Sequence, residues 1–167
     1  MRPAGQLAPP AAEHGAPDPE GRARVYLHAG QLSAPAWPAQ ITTVLGSCVA
    51  VCLFDAEVRV GGMNHYLLAQ PVNGEHSARF GAVAVPALID AVVKGGGRPG
   101  SLKAKVFGGA AVTSASGRRS LGAENAALAL HLLTAAGIPV LQTDLGGQRG
   151  RKLIFHTDDG SAWVRQL

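Results

Sequence analysis

The stretch Leu45-Gly46-Ser47-Cys48-Val49-Ala50-Val51-Cys52-Leu53-Phe54 decides how this chain folds. Its first residues predict a tight turn at a glycine, and the apolar run that follows has the length and composition of a buried strand. Cys48 stands where the turn meets the strand. A thiol in that position is presented at the end of a strand, so Cys48 is the first candidate for a nucleophile.

A second segment, Gly61-Gly62-Met63-Asn64-His65, places an imidazole beside two glycines, where another backbone can approach closely. We expect an antiparallel hairpin of Val49 to Asp55 with Val58 to Leu68, joined by the loop Ala56-Glu57. In that register the thiol of Cys48 lies opposite the imidazole, with Cβ atoms about 4.5 to 5.5 Å apart. A bulge at the two glycines would shift the register by one residue. Thiol and imidazole are the two parts of a cysteine hydrolase.

The two cysteines invite different interpretations. A lone cysteine in an apolar strand is usually a small core residue, and that is our interpretation of Cys52. Cys52 lies about 13 Å along the strand from Cys48, which is too far for a disulfide. We expect Cys48 to be exposed and activated by His65, with a thiol pKa below the ordinary value of about 8.5. No histidine has a partner at metal-ligand spacing, so neither a metal site nor a cofactor is expected.

The segment from Thr42 to Leu53, followed by Gly61 to His65, resembles the signature of the CheD chemoreceptor glutamine deamidases. Further segments recur in that family's order and spacing, so the resemblance covers roughly residues 25 to 167. They are Lys103-Ala104-Lys105-Val106-Phe107-Gly108-Gly109-Ala110, Leu121-Gly122 with Asn125, and Asp144-Leu145-Gly146-Gly147 with Gly150-Arg151-Lys152.

The resemblance implies a reaction and a fold. Family members hydrolyse the side-chain amide of receptor glutamines to glutamate and ammonia through a thioester, and some also act on receptor methyl esters. Carried over by position, the nucleophile is Cys48, the base is His65 and the third member is Thr42. The implied fold is α+β, with a mixed β-sandwich core flanked by helices, similar to the deamidase domain of cytotoxic necrotizing factor toxins.

The remaining site predictions rest on weaker signals. Thr42 and Thr43 both favour strands, and only the resemblance selects Thr42. We assign the oxyanion site to backbone N–H groups of the turn that contains Gly46 and Ser47. Four further residues are candidates for the substrate cleft, namely Gly62, Asn64, Gly108 and Gly109. The three glycines among them also suit simple turns.

Charge and family together suggest partners. The formal net charge is +4, and from Lys94 onward there are ten Lys and Arg against four Asp and Glu. Without aromatic residues among these charges or a binding motif, nucleic acid is not expected. An acidic surface on the cytoplasmic helices of methyl-accepting chemotaxis receptors suits the charge better. The alternative function is a non-catalytic module that docks onto a receptor or onto a CheC-type phosphatase.

Composition also predicts the domain organisation. Residues 1–24 hold five of the eleven prolines and no periodic apolar pattern, which predicts a disordered tail before a single domain over 25–167. No apolar run is long enough to span a membrane, so we expect a cytoplasmic protein without membrane insertion. Ala82, Ala123 and Glu124 depart from the family's usual residues and put substrate fit in question more than chemistry.

The order of secondary structure follows from periodicity and turn residues. Helices are predicted over Phe80 to Lys94 and from about Glu124 to Ala136. Strands are predicted at Val25 to His28, Lys103 to Phe107, Val140 to Thr143, Lys152 to His156 and Ala162 to Arg165.

Overall fold

The computed structural model describes residues 15–111 and 120–167, which contain nine strands, two α-helices and one short 3-10 helix at Pro99–Ser101. In chain order the elements are β1 (Ala23–Tyr26), β2 (Leu32–Ser33), β3 (Ala39–Leu45), β4 (Val49–Asp55), β5 (Val60–Asn64), α1 (Gly81–Lys94), β6 (Lys103–Gly108), α2 (Leu121–Ala135), β7 (Val140–Leu145), β8 (Arg151–His156) and β9 (Ala162–Gln166). The predicted strands and helices are confirmed, with boundaries that differ by up to three residues, except that the second hairpin strand is much shorter than predicted.

The strands form two sheets, in the orders β1-β3-β8-β9 and β2-β5-β4-β6-β7. One apolar core fills the space between the sheets and contains Ile41 and Phe155 from one sheet and Phe107 from the other. A second core packs α1 and α2 on the other face of the five-stranded sheet. The α+β class with two mixed sheets is confirmed, and both helices cover the same sheet. The likeness to the cytotoxic necrotizing factor domain stays a prediction.

The continuous apolar run of β4 follows from its place in the middle of these layers. All seven of its residues are buried. Val49, Val51 and Leu53 pack into the helix-side core, whereas the alternate residues Ala50 and Cys52 pack between the sheets. Cys52 is fully buried, which confirms its interpretation as a core residue.

The β4–β5 hairpin has a different register from the predicted one. Asp55 pairs with Val60, so the connecting loop has four residues, Ala56 to Arg59, instead of two. Arg59 closes this loop with a positive φ of 59°. The pairing continues to Val49 and Tyr66, whose backbones exchange hydrogen bonds of 3.1 and 3.0 Å. The prediction that Cys48 faces His65 directly is therefore wrong, because a four-residue loop shifts every pair by two positions.

The helices have ordinary ends. The Ser120 hydroxyl caps α2 by accepting a hydrogen bond from the Ala123 N–H at 3.1 Å. Gly137, with a φ of 71°, follows the end of the same helix. Pro86 lies inside α1, in its second turn. Neither helix in the described part of the chain is long and apolar enough to cross a membrane.

Packing of the described chain begins before residue 25. Strand β1 includes Ala23, and Arg22 is only 7% exposed. The Arg22 Nε donates to Asp158 Oδ1 at 2.8 Å, and the Asp18 carboxylate accepts from the Arg22 backbone N–H at 2.8 Å. Asp18 and Arg22 are therefore held in the structure by these contacts, although they lie within the segment predicted as a tail. The rest of the predicted tail, residues 1–14, lies outside the described residues.

Candidate active site

The turn that carries Cys48 is held through three consecutive carbonyls. The Gly46 carbonyl accepts from the Ala110 N–H at 2.9 Å, and the Cys48 carbonyl accepts from the Gly109 N–H at 2.8 Å. Between them, the Ser47 carbonyl accepts from the side-chain amide of Asn125 at 3.0 Å. In a trans peptide the C=O and the following N–H point in opposite directions. The N–H groups of Ser47 and Cys48 therefore point away from the residues that hold the turn.

Gly108 and Gly109 support this turn. Both are buried, and Gly108 has a φ of 110°, in the region that favours glycine. A Cβ at Gly108 would overlap the carbonyl oxygen of Cys48. This close approach is a structural reason for glycine at position 108, and the place of Gly108 and Gly109 in a substrate cleft stays a prediction.

His65 lies at the end of β5, between the two sheets, and is 5% exposed. Because Val49 pairs with Tyr66, Cys48 and His65 lie on the same face of the hairpin as diagonal neighbours. Such neighbours are about 7 to 8 Å apart, with Cβ atoms somewhat closer, which an imidazole can reach across. The backbone of His65 is fixed on both sides, by a bond to the Gln31 carbonyl at 3.0 Å and one from the Gly30 N–H at 2.7 Å.

The protonation of the imidazole follows from its hydrogen bonds. The Thr43 hydroxyl donates a hydrogen bond to the Leu27 carbonyl at 2.7 Å, because a carbonyl can only accept. The same oxygen lies 2.8 Å from His65 Nδ1, so Nδ1–H must donate to it. His65 Nε2 then carries the lone pair, and it is buried without a hydrogen-bond partner among the described residues. A buried imidazole nitrogen with a lone pair and no hydrogen-bond partner can accept a proton from a group that approaches it.

The hydroxyl on His65 belongs to Thr43, and Thr42 lies elsewhere. Side chains alternate along β3, and Thr43 is fully buried between the sheets whereas Thr42 is half-buried on the outer face. Thr42 pairs with Tyr26 on one side and with Ile154 on the other. The structure therefore brings Cys48, His65 and Thr43 to one face and does not bring Thr42 to the imidazole.

Burial favours the neutral form of both the His65 imidazole and the Cys48 thiol. Burial lowers the pKa of His65 to about 4; the nearby Leu27 carbonyl opposes this shift, and His28 adds to it. Burial also raises the pKa of the half-buried Cys48 thiol above its ordinary value, and a hydrogen bond from the residue's own N–H opposes part of that rise. The expectation of a lowered thiol pKa is therefore wrong, since no charged imidazole lies beside the sulfur.

Gly62 and Asn64 are also buried and have structural partners. A Cβ at Gly62 would overlap the backbone of Ser33 in the neighbouring strand β2. The Asn64 side chain accepts from the Val51 N–H at 2.9 Å and donates to the Ala84 carbonyl at 3.0 Å, which ties α1 to β4. These contacts give both residues a structural role, and their place in a substrate cleft stays a prediction.

Asn125 is the residue that sequence reasoning missed as part of the site. It appeared only as one element of a motif, although a polar amide within the apolar helix α2 was a signal that it has buried partners. Asn125 is 1% exposed, and its side chain contacts the turn of residues 46–48, which we call the cysteine turn. Among residues 15–111 and 120–167, no three His, Cys, Asp or Glu side chains come together to hold a metal ion.

Comparison with known proteins connects this geometry to a family. The family model described as CheD chemotactic sensory transduction matches residues 67–166. The chain is also 64% identical, over 163 residues, to a protein of Anaeromyxobacter dehalogenans named a probable chemoreceptor glutamine deamidase. That match covers 97% of this chain and 94% of the relative, so it includes the cysteine turn and the histidine segment.

More distant relatives carry the same name. A protein of Sulfurimonas denitrificans is 38% identical over 145 residues, covering 85% of this chain and 93% of its own length. A protein of Rhodospirillum rubrum is 44% identical over 144 residues, covering 85% of this chain and 81% of its own length. Both are named probable chemoreceptor glutamine deamidases.

Proposed function

This chain belongs to the CheD family, and from that premise we propose that it is a protein-glutamine deamidase that converts glutamines of chemoreceptors to glutamate. The single observation that carries the proposal is the assembly around His65: an Nδ1–H fixed by Thr43, a bare Nε2, and Cys48 on the same face. The names of the relatives supply the substrate class.

In the proposed mechanism Cys48 attacks the side-chain carbonyl carbon of a glutamine. The thiol is neutral at rest, so His65 Nε2 takes the S–H proton as the C–S bond forms, and no thiolate is stored beforehand. Thr43 keeps Nδ1 as the donor and so keeps Nε2 as the base. In resting enzymes such catalytic contacts are often long and tighten only with substrate bound.

The tetrahedral intermediate carries negative charge on the former amide oxygen. The outward-pointing N–H groups of Ser47 and Cys48 are the proposed donors to this oxyanion, since their peptide carbonyls are bound inside the protein. The Cys48 N–H belongs to the same residue as the attacking sulfur, so we propose that it reaches the substrate oxygen when the C–S bond forms.

The remaining steps balance the reaction. The protonated His65 gives its proton to the amide nitrogen and the C–N bond breaks. Ammonia is released, and the acyl group remains on Cys48 as a thioester. His65 then takes a proton from water, whose oxygen attacks the thioester carbon. The C–S bond breaks, the sulfur regains its proton, and the product is a glutamate side chain.

The proposal is tested with a recombinant receptor cytoplasmic domain as substrate. We expect Cys48→Ser and His65→Ala to fold but to lose essentially all release of ammonia, together with the gain of about 1 Da per converted glutamine in peptide masses. Cys52→Ser is the matched control, since it changes the other cysteine, in the core, and should retain turnover.

Two outcomes would contradict the catalytic role. If Cys48→Ser deamidates the receptor as fast as the parent, the thiol is not the nucleophile. If neither protein deamidates the receptor but both bind it, the chain is a docking module. We further propose that this protein works in the cytoplasm. We also propose a CheC-type phosphatase as its second partner, which co-purification of the two proteins would test.

A further inference from the structure

Asn125 joins the two chain segments that carry the reacting groups. Its side-chain NH2 donates both of its protons, to the Ser47 carbonyl at 3.0 Å and to the Leu67 carbonyl at 2.8 Å. Ser47 precedes Cys48, and Leu67 lies two residues after His65. The Asn125 backbone carbonyl in turn accepts a hydrogen bond from the Tyr66 hydroxyl, so the contact is fixed from both sides.

The Ser47–Cys48 peptide depends on this side chain in a way that its neighbours do not. The carbonyls of Gly46 and Cys48 are held by backbone N–H groups, which almost any residue supplies. The Ser47 carbonyl is held by the Asn125 amide, which only a side chain with a suitable donor can replace. The orientation of one peptide in the turn is therefore set by residue identity.

That peptide carries the N–H that matters most for the proposed reaction. While its carbonyl is bound to Asn125, the Cys48 N–H points the opposite way, away from Asn125. If the carbonyl lost its partner, the peptide would be free to rotate and to turn the N–H away. The intermediate would then lose a donor that had been oriented in advance.

We propose that Asn125 is a positioning residue that fixes the Ser47–Cys48 peptide as an oxyanion donor. This inference rests on the proposed deamidase function. It assigns Asn125 no contact with the substrate. Its effect is on the acyl-transfer step, where an oxyanion forms, and not on the reactivity of the thiol itself.

The distinction can be measured, because alkylation of Cys48 by iodoacetamide needs the sulfur but forms no oxyanion. We expect Asn125→Ala to lower kcat for receptor deamidation about tenfold to a hundredfold, less than the loss for direct removal of an oxyanion donor. KM and the rate and pH profile of Cys48 alkylation should stay close to those of the parent. Asn125→Thr, which is close in volume and offers one shorter donor, should also lose kcat.

Leu133→Ala is the control for lost stability. Leu133 is fully buried and lies two helical turns after Asn125 in α2. Its side chain has no polar atom and cannot form a hydrogen bond with the cysteine turn. At a temperature where each variant is folded by circular dichroism, we expect the Leu133→Ala enzyme to keep the parent kcat. If Asn125→Ala fails to fold, Asn125→Thr carries the test.

Each result decides the matter. An unchanged kcat in a folded Asn125 variant overturns the positioning role while the deamidase proposal stands. A parallel fall in kcat and in alkylation rate also overturns it, because the residue would then act on the thiol. A parent protein without deamidase activity overturns the proposed function, and this inference with it.

Discussion

The Thr43 hydroxyl determines which nitrogen of His65 can act as a base. It donates its one hydrogen bond to the Leu27 carbonyl and can therefore only accept from Nδ1. We predict that Thr43→Val, which removes the hydroxyl and keeps the shape, lowers receptor deamidation about ten- to a hundredfold, or about 1.4 to 2.7 kcal/mol of barrier. Ammonia release under saturating receptor measures the effect.

Two matched variants complete that test. Thr43→Ser keeps the hydroxyl and should keep most of the activity, whereas Thr42→Val changes the outer face of β3 and should change turnover little. A larger loss for Thr42→Val than for Thr43→Val would return the orienting role to Thr42, as the family resemblance implied. The sequence did not distinguish these neighbours, because a one-residue change of register moves every side chain of a strand to its other face.

The buried imidazole also makes stability depend on pH. The pKa of His65 is about 4 in the folded protein and about 6.5 in the unfolded chain, so between these values only the unfolded chain binds the proton. Stability is therefore full above the unfolded pKa and falls as the pH falls toward 4. From about pH 7 to about pH 5 we expect a loss of about 2 kcal/mol from this residue.

Urea unfolding at the two pH values measures this loss, with His65→Gln as the control. The amide of glutamine does not titrate, so the variant should lose about 2 kcal/mol less than the parent over the same interval. Asp55, with a pKa of about 2, is present in both proteins and loses its proton well below that range. Equal losses in both proteins would mean that His65 is not held neutral by burial.

At the scale of elements, the sequence predicts β4 well and its partner β5 less well. The apolar run of β4 is continuous because both faces are covered, which the composition alone indicates. The register depends on loop length, and Val58 is apolar enough to resemble a strand residue although it lies in the loop, 41% exposed. The family resemblance selects Cys48 and His65 for their roles, which stays a prediction, while the predicted hairpin register placed the two residues two positions too close.

The approach of β6 to the cysteine turn gives a prediction at this scale. We expect Gly108→Ala to destabilise the protein and to reduce deamidation, because its φ of 110° disfavours alanine and the new Cβ would displace the Cys48 carbonyl. Gly100→Ala is the control, since a Cβ there meets no atom within 4 Å. Thermal unfolding and ammonia release measure the two effects. A Gly108→Ala protein as stable and active as Gly100→Ala would show that the turn tolerates movement at this contact.

At the scale of the molecule, the family resemblance implies an α+β fold, and the two mixed sheets with both helices on one of them confirm that class. Which strands share a sheet was not predictable, because β3 and β4 are consecutive yet belong to different sheets. That division creates the site: β3 supplies Thr43 from one sheet and β5 leads to His65 from the other. A pattern read along the chain shows which faces are apolar, but it does not show which sheet each strand joins.

Residues that composition assigns to a disordered tail include a buried ion pair with the folded domain. Asp158 is 2% exposed and pairs with Arg22, which is itself buried, and with the more exposed Arg59. We predict that Arg22→Met costs about 2 kcal/mol of unfolding free energy, less than a fully broken buried pair because Arg59 remains. Arg24→Met, on the exposed side of β1, should cost less than about 0.5 kcal/mol. Urea unfolding of the two variants compares them directly, and equal stability would mean that residues 15–24 behave as the tail that composition predicts.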